Sequence, residues 1–261
     1  MNFLTHLAPG RKLEEVRFLK RYKRFLVDVQ RRDGSLLTVH NPNTGSMKSC
    51  LKEGVRAVIS LIPDHSPEKG PRLPGTLELL HGGKGWIGVN TMRTNSIVAA
   101  ALNTSISLPL AARDARELLS ASALQRLERL EQTSGGMGPL SEPVLDGLSI
   151  RPDLYWKGWL IEVKNVTQLE DDWIQFPDAV SKRAAHHMKE LGSLCRQGFS
   201  CAVVFALSRP EGTFFQPADS IDPDFGASLR EAHDSGLQII ARRFRYSMRG
   251  IYDAGTMPVK L

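Results

Sequence analysis

The residues with the clearest potential for chemistry are Asp153, Glu162 and Lys164, which lie on the two strands of a predicted β-hairpin. The Lys-Gly dipeptide at residues 157–158 has the composition of a two-residue type I′ loop, in which glycine accommodates a positive φ. This loop sets the strand register and places Asp153 directly opposite Glu162, with their Cβ atoms about 5 Å apart. Because side chains alternate along a strand, Lys164 lies on the same face.

Two carboxylates at this spacing have the chemistry of a Mg²⁺ or Mn²⁺ site, since hard divalent cations prefer oxygen ligands. The carbonyl of Val163 can add a third oxygen. Water activated by the cation, or held beside Lys164, is a nucleophile near neutral pH, which favours hydrolysis of a phosphate ester. An exposed cross-strand ion pair, worth about 0–1 kcal/mol, explains the same residues and stays open.

The opposite face of the hairpin is apolar and is predicted to pack into the core. Its residues are Leu154, Trp156, Trp159, Ile161 and Val163. The charged trio shares its face with Tyr155 and Leu160, and we expect that face to meet solvent.

Composition limits the class of protein. The chain has 261 residues, of which 41% are hydrophobic and 24% charged, enough for one large or two small globular domains. Its apolar runs are too short to cross a bilayer, and residues 1–16 lack the apolar segment of a signal peptide. Three cysteines without a CxxC spacing suit a reducing compartment, so we expect a cytoplasmic protein with no membrane partner.

Positive charge is concentrated in the first quarter of the chain. Residues 1–60 contain 12 Lys or Arg and 5 Asp or Glu, whereas the remaining residues contain 22 and 23. This asymmetry indicates a module that faces a polyanion, with a solvated basic surface as the equal alternative.

The basic segment is predicted to be one β-strand over residues 17–29, with a bulge near Tyr22. Its cations are Lys20, Arg21, Lys23 and Arg24. Basic side chains around an aromatic ring are typical of nucleic-acid binding, in which stacking is worth about 1–3 kcal/mol per base. An edge strand protected by lysines is the alternative.

A dense turn cluster follows at residues 41–46. Within it, Asn43 and Ser46 can turn the chain or help to hold an anion. Short strand patterns at residues 55–61, 76–80 and 86–89 then predict a small barrel. Residues 63–74 are predicted to be a loop.

Beyond residue 95 the hydrophobic period becomes helical, which places a domain boundary between residues 92 and 93. An α/β sandwich with a mixed sheet is predicted for the second part. Its predicted elements are a helix from residue 96, a helix over 109–131 that ends at 134–138, helices over 177–198 and 223–235, and strands over 199–207 and 237–244.

Four ordered motifs give the chain a resemblance to a known family. They are residues 17–26 (RFLKRYKRFL), 40–47 (HNPNTGSM), 162–167 (EVKNVT) and 176–180 (FPDAV), with Asp153 preceding the Glu-x-Lys sequence. Together they resemble the sugar fermentation stimulation protein (SfsA) family, from about Arg17 to the C-terminus. The resemblance implies an α+β protein, with an N-terminal OB-like β-barrel in residues 1–92. A PD-(D/E)xK, restriction-endonuclease-like α/β sandwich with a mixed sheet is implied for residues 93–261.

The resemblance also implies roles for further residues. Glu142 is a candidate metal or water ligand, with an ordinary surface position as the alternative. Lys182, Arg183 and His187 follow the Glu-x-Lys sequence on a helix and are expected to reach a substrate phosphate. His187 also fits the apolar stripe of that helix, so a structural role stays open. The chain departs from the family pattern at residues 146–153, which contain one extra residue.

Two functions follow. The first is a sequence-tolerant DNA-binding protein with a Mg- or Mn-dependent nuclease site, which contacts DNA mainly through its phosphate backbone. In it Asp153 and Glu162 bind the metal, and Lys164 and Glu142 are catalytic. The second is a catalytically silent DNA-binding regulator linked to sugar (maltose) metabolism. A homodimer stays open in both.

Overall fold

The computed structural model describes residues 1–63, 73–109, 115–133 and 138–261. These residues contain the helices α1 (Thr94–Thr104), α2 (Ala121–Thr133), α3 (Lys182–Arg196) and α4 (Pro223–Asp234). Their strands are β1 (Asn2–Thr5), β2 (Lys12–Tyr22), β3 (Leu26–Gln30), β4 (Leu36–His40), β5 (Arg56–Leu61), β6 (Gly75–His81), β7 (Trp86–Gly88), β8 (Leu140–Ser141), β9 (Leu154–Trp156), β10 (Trp159–Val166), β11 (Gln168–Glu170), β12 (Trp173–Phe176), β13 (Ser200–Leu207), β14 (Phe214–Pro217), β15 (Gln238–Ser247) and β16 (Gly250–Thr256).

The first half of the chain forms antiparallel strands around a core of its own. β2 pairs with β3 and β5, β3 pairs with β4, and β5 pairs with β6. One parallel pair, His40 with Thr76, joins β4 to β6. Apolar side chains such as Val27, Val39 and Leu77 fill the space between these strands and are fully buried. The predicted short strands are confirmed, whereas a closed barrel stays a prediction.

The basic segment is two strands rather than the single strand predicted over residues 17–29. β2 ends at Tyr22, and the chain reverses through Lys23 and Arg24, whose φ angles are 48° and 61°. β3 then returns beside β2, and the register of the pair shifts between Phe18 and Lys20. The irregularity predicted near Tyr22 is therefore a turn, and the bulge lies earlier in the strand.

The second half extends the same sheet with parallel strands. β10, β13 and β15 are parallel neighbours, whereas β9 and β10 form the predicted hairpin. Its loop residues Lys157 and Gly158 have φ angles of 46° and 85°, and Trp156 pairs with Trp159, which confirms the predicted register. All eight residues of β13 are buried, as the apolar run at 199–207 predicts. The mixed sheet is confirmed.

Both faces of this part of the sheet are covered, which corrects the expectation that the charged face of the hairpin meets solvent. α1 packs over the side that carries Trp159 and Ile161. α3 and α4 pack over the side that carries Tyr155 and Leu160. Because Glu162 shares this second side with Leu160, it is only 2% exposed.

The helix predicted over residues 177–198 begins at Lys182. Ser181 caps it, because its hydroxyl accepts the backbone N–H of Ala184 at 3.2 Å. Pro177 follows a cis peptide bond and lies in a loop before the helix, where Val180 is 69% exposed instead of joining the apolar stripe. α4 matches its prediction, whereas α2 is shorter than the helix predicted over 109–131. Residues 64–72, 110–114 and 134–137 lie outside the described residues, and with them most of the predicted 63–74 loop and the predicted helix end.

A buried carboxylate joins the two halves of the chain. Glu78 on β6 is 1% exposed and accepts hydrogen bonds from Ser60, Asn90 and Arg93, the last two lying just before α1. β1 also crosses over, since it pairs with β16. The halves therefore share one 13-stranded sheet. None of the described helices has the length and apolar character needed to span a membrane.

Candidate functional site

A cleft of about 620 Å³ opens where the two halves meet. One wall is the β2–β3 turn with the loop at residues 43–48. The other wall is the start of α1, the end of β10 and the loop at residues 176–181. The cleft brings the basic segment and the Glu-x-Lys segment together, although they are far apart in the sequence.

Asp153 lies one residue before β9, next to the last pair of the hairpin, Leu154 with Ile161. One of its carboxylate oxygens accepts the backbone N–H of Val163 at 2.8 Å, and the other accepts the side-chain amide of Asn95 at 3.1 Å. Burial raises the pKa of Asp153 above its usual value, and the negative charge of Glu162 adds to the rise. Asp153 is therefore held in place within electrostatic reach of a second carboxylate, that of Glu162.

Glu162 is the centre of a charged network. Its Oε1 contacts Nζ of Lys164 and lies 2.7 Å from Nδ1 of His187. Burial alone would raise the pKa of Glu162, but the hydrogen bond with His187 and the charge of Lys164 outweigh burial and hold that pKa below its usual value. Its other oxygen, Oε2, is buried and has no hydrogen-bond partner among the described residues. Since a buried charged oxygen without a partner is costly, this atom suits a ligand.

The donor set fits a hard divalent cation. Asp153 and Glu162 offer carboxylate oxygens, and Oε2 of Glu162 is available. Within the described ranges, no group of three or more His, Cys, Asp or Glu side chains is arranged to hold a metal. Backbone, water or substrate oxygens would have to complete the coordination shell, as is usual for Mg²⁺.

Glu142 is not brought into this network. Its carboxylate pairs with Arg151 at 3.0 Å, and both side chains are more than half exposed. Arg151 also donates to the backbone carbonyl of Glu142, which fixes the pair at the surface. The contact between Glu142 and the site is through its backbone, because its N–H donates to the carbonyl of Asp153 at 2.8 Å.

His187 meets the acidic site instead of the apolar stripe of α3. That stripe consists of Ala184, Ala185, Met188, Leu191 and Leu194. The imidazole of His187 is 16% exposed beside Glu162. Lys182 and Arg183 are exposed in the first turn of α3, immediately after the cleft-lining Ser181.

The predicted nucleic-acid-binding cations have different roles in the structure. Arg21 donates to the carbonyls of Asn43, Gly45 and Ser46 at 2.8–3.1 Å, and to that of Arg24 at 2.9 Å. Its guanidinium therefore organises the turn cluster. Arg24 is exposed and lines the cleft.

The other members of the basic segment lie at the rim of the first half. Tyr22 donates its hydroxyl to Asp28 at 3.1 Å, and Lys20 pairs with the same carboxylate at 3.6 Å. The Lys20 ammonium also lies 5.6 Å from the centre of the Tyr22 ring. Lys23 is exposed at the turn.

The turn cluster is also held from the second half of the chain. Asn43 is 4% exposed, and its side-chain oxygen accepts the N–H of Gly45 at 2.8 Å. Asp178 accepts the backbone N–H of Met47 at 3.0 Å, so the loop that carries Asp178 is hydrogen-bonded to the turn cluster across the cleft. Ser46 lines the cleft between these contacts.

Sequence reasoning missed two amides that belong to the cleft. Asn95 on α1 supports Asp153, and no local pattern marks it. Asn165 follows Lys164 directly, and its side-chain oxygen accepts the Ser208 hydroxyl at 2.6 Å. Ser208 is buried and is in turn bonded to the hydroxyl of Tyr246 at 2.8 Å, so these two hydroxyls orient the Asn165 amide at the cleft. The position of Asn165 within the EVKNVT run was the available signal.

Comparisons with known proteins cover nearly the whole chain. Residues 19–89 match the family model described as "SfsA N-terminal OB domain", and residues 110–250 match "Sugar fermentation stimulation protein RE domain". A relative from Acidithiobacillus ferrooxidans is 38% identical over 230 residues, which is 88% of this chain and 89% of the relative. One from Pseudomonas aeruginosa is 38% identical over 253 residues, 95% and 97% of the two chains. Both are named sugar fermentation stimulation protein homolog.

The fold also matches a solved structure. Pyrococcus furiosus SfsA in complex with Ca²⁺ aligns over 100% of both chains with a TM-score of 0.75 and 21% sequence identity. At this identity the likeness concerns the fold alone.

Proposed function

The chain belongs to the sugar fermentation stimulation protein (SfsA) family, and its residues 19–89 match the OB domain of that family. From this we propose that it binds DNA and cleaves it with a divalent-metal-dependent phosphodiesterase site. Asp153 and Glu162 would hold Mg²⁺ or Mn²⁺, and Lys164 would act on the attacking water. The observation that carries the proposal is the buried, unpartnered Oε2 of Glu162, within a network that includes the cleft-lining Lys164.

The scaffold of the site supports this chemistry. Asp153 lies just before one strand of the hairpin, the Glu-x-Lys sequence lies on the other, and a helix follows; this order supports the proposed likeness to PD-(D/E)xK nucleases. A fold does not decide a function, so the side chains of the site carry the proposal. The solved P. furiosus relative is described in complex with Ca²⁺, another hard cation that takes oxygen ligands.

Each polar group has a separate task in the proposed reaction. When bound, the metal would offset negative charge that develops on the phosphoryl group. Lys164 orients the attacking water and meets the developing charge. His187 fixes the rotamer of Glu162 through Oε1, which keeps Oε2 free for the cation. Asn95 and the Val163 N–H do the same for Asp153.

DNA would lie along the mouth of the cleft. Arg24 and Lys48 on one side, and Lys182 and Arg183 on the other, are exposed and can meet backbone phosphates. Contacts of this kind position a strand without reading its sequence, so binding should weaken steeply as salt rises.

A catalytically silent DNA-binding regulator, linked to sugar (maltose) metabolism as the family name suggests, is the second candidate. One observation favours it: Lys164 contacts Oε1 of Glu162 and offsets its charge, and His187 lies against the same oxygen. A carboxylate that already has a cationic partner binds a metal ion less tightly.

Cleavage assays separate the two candidates. Single- and double-stranded DNA and RNA are incubated with the protein and Mg²⁺, Mn²⁺ or EDTA. We expect metal-dependent cleavage that falls about 10²- to 10⁴-fold in Lys164→Ala, the range for loss of proton-transfer catalysis. Lys157→Ala is the matched control, since Lys157 is an exposed lysine at the loop of the same hairpin. Salt-sensitive binding without cleavage under any metal condition would establish the regulator instead.

A further inference from the structure

The cleft adjoins a second surface that the proposed function does not use. A cavity of about 590 Å³ opens on the outer face of the three-stranded sheet β11–β12–β14. Gln175 lines both this cavity and the cleft, so the two share a wall. Gln175 is 5% exposed, and its Oε1 has no hydrogen-bond partner among the described residues. A buried amide oxygen in this state points to a polar ligand at the junction.

The outer face of this small sheet carries two rows of side chains. Gln168 pairs with Gln175, and Gln175 pairs with Gln216, so three amides form one row across the strands. Because Gln168 at one end of the row also lines the cleft, the row of amides runs outward from the cleft across the small sheet. The second row lies about 7 Å further along the strands. It consists of Glu170, Trp173 and Phe214.

The second row ends in an aromatic shelf formed by Trp173, Phe214 and Lys260. Trp173 is 43% exposed, and its ring centre lies 5.1 Å from that of Phe214. The Lys260 ammonium is 3.9 Å from the Phe214 ring centre and 5.8 Å from that of Trp173. The backbone N–H of Lys260 donates to the carbonyl of Phe215 at 2.9 Å, which ties this residue to β14. A large exposed ring with a cation fixed beside it is a ready stacking platform.

We propose that the aromatic shelf stacks an unpaired base of a nucleic acid whose backbone lies in the cleft. This rests on the proposed function and adds a substrate class, namely strands that contain unpaired nucleotides. Stacking on a ring tolerates any base, which agrees with binding that does not read sequence. Bases within a duplex are stacked on both faces, so a base reaches the shelf only when it is unpaired or flipped out.

The charges around the cavity determine whether a base or a phosphate binds at the aromatic shelf. Glu170, Asp171 and Asp219 border the cavity together with Lys260 and Arg230. Arg230 is already paired with Asp219 at 2.8 Å. Carboxylates repel phosphates but accept hydrogen bonds from the exocyclic amino groups of bases. The rim therefore favours a base on the shelf and leaves the phosphates to the cations of the cleft.

The test compares strands with and without bases. Fluorescence anisotropy measures binding of the full chain to a labelled single strand of about 20 nucleotides and to an abasic strand of equal length and charge. We expect wild-type protein to prefer the strand that has bases. Trp173→Leu should weaken that binding by about five- to about a hundredfold, the range for one stacked base, and leave the abasic strand unaffected.

Trp156→Leu is the matched control. Trp156 is also partly exposed, has the Lys157 ammonium 4.9 Å from its ring centre, and lines neither cavity. It should bind both strands as wild type does. As a second readout, base-containing strands should quench tryptophan emission in wild type and quench it less in Trp173→Phe, which keeps a ring and so preserves packing.

The outcomes distinguish the shelf from the cleft. Equal binding by wild type and Trp173→Leu, or an equal loss on both kinds of strand, would overturn the shelf and leave cleft binding standing. If wild-type protein binds no nucleic acid at all, the proposed function is wrong, and the shelf with it.

Discussion

Replacing Gly45 with alanine tests whether Asp178 joins the two sides of the cleft. A Cβ atom at Gly45 would lie 2.5 and 2.6 Å from the two carboxylate oxygens of Asp178 and 2.9 Å from its Cγ. These distances are too short for a real contact, so the carboxylate has to move. The N–H of Met47 then loses its acceptor, although Met47 is fully buried.

The size of the effect follows from that lost hydrogen bond. A bond to a charged acceptor contributes about 1.5–3 kcal/mol to stability, and a buried donor left without a partner adds to the cost of losing it. We expect Gly45→Ala to lower the free energy of unfolding by about this amount. Thr44→Ala, at an exposed position in the same loop, should change it by less than about 0.5 kcal/mol.

Urea unfolding of a double-mutant cycle with Asp178→Gly measures the contact directly. Asp178→Gly removes the obstructing carboxylate, so Gly45→Ala should cost less in that background than in wild type. The difference between the two costs is the coupling energy of the contact. An equal cost in both backgrounds, or no cost in wild type, would refute the role assigned to Asp178.

Three further predictions address other parts of the molecule. Arg21→Lys should lower the free energy of unfolding by about 2–4 kcal/mol, because an ammonium cannot bond all the carbonyls that the guanidinium holds. Lys23→Ala, at an exposed position, should leave the free energy of unfolding unchanged. Equal urea midpoints for the two variants would contradict the role of Arg21. The hydrogen bond from Arg31 holds the pKa of Glu14 below its usual value, so this pair stabilises the fold at pH values above the usual pKa of glutamate, and the contribution disappears as pH falls through the lowered pKa. Arg31→Gln should therefore make the free energy of unfolding depend less on pH in this range. An unchanged pH profile of unfolding would exclude the pair as a source of stability. Burial raises the pKa of Tyr246 to about 12, so the free energy of unfolding should decline as pH rises from about 10 to 12. In an absorbance titration, one tyrosine should ionise near pH 12, and this transition should be absent in Tyr246→Phe. Ionisation of Tyr246 near pH 10 would contradict its burial.

Local chemistry explains what the sequence predicts well. The hairpin register follows from two adjacent residues, since Lys157 and Gly158 both adopt a positive φ and leave one way to pair the strands. Alternation then assigns Glu162 and Leu160 to a common face. It does not say whether that face meets water, because the helices that cover it come from residues 182–234.

Turns without glycine are harder to recognise. Lys23 and Arg24 reverse the chain at positive φ, a conformation that side chains other than glycine rarely adopt. Contacts from elsewhere compensate for it: Arg21 and Asn41 both donate to the Arg24 carbonyl. Because two strands, β3 and β4, separate Asn41 from the turn, no local pattern reveals it.

In the candidate site, too, the residues close together in sequence are predictable, whereas the contacts made over long range are not. Asp153, Glu162 and Lys164 share one hairpin and are predictable from it. The contact of His187 with Glu162 depends on how α3 packs against the sheet, and the exposed pairing of Glu142 with Arg151 depends on a turn at Glu142, whose φ is 45°. Long-range packing, which a single sequence does not encode visibly, therefore decides which acids and bases meet.

Calorimetric titration of Mg²⁺ and Mn²⁺ tests the central claim, that Asp153 and Glu162 form a cation site at the cleft, most directly. We expect wild type to bind one ion, Glu162→Gln to lose that binding, and Glu142→Gln, at an exposed acid outside the network, to retain it. Binding that survives Glu162→Gln, or that is lost with Glu142→Gln, would contradict the account.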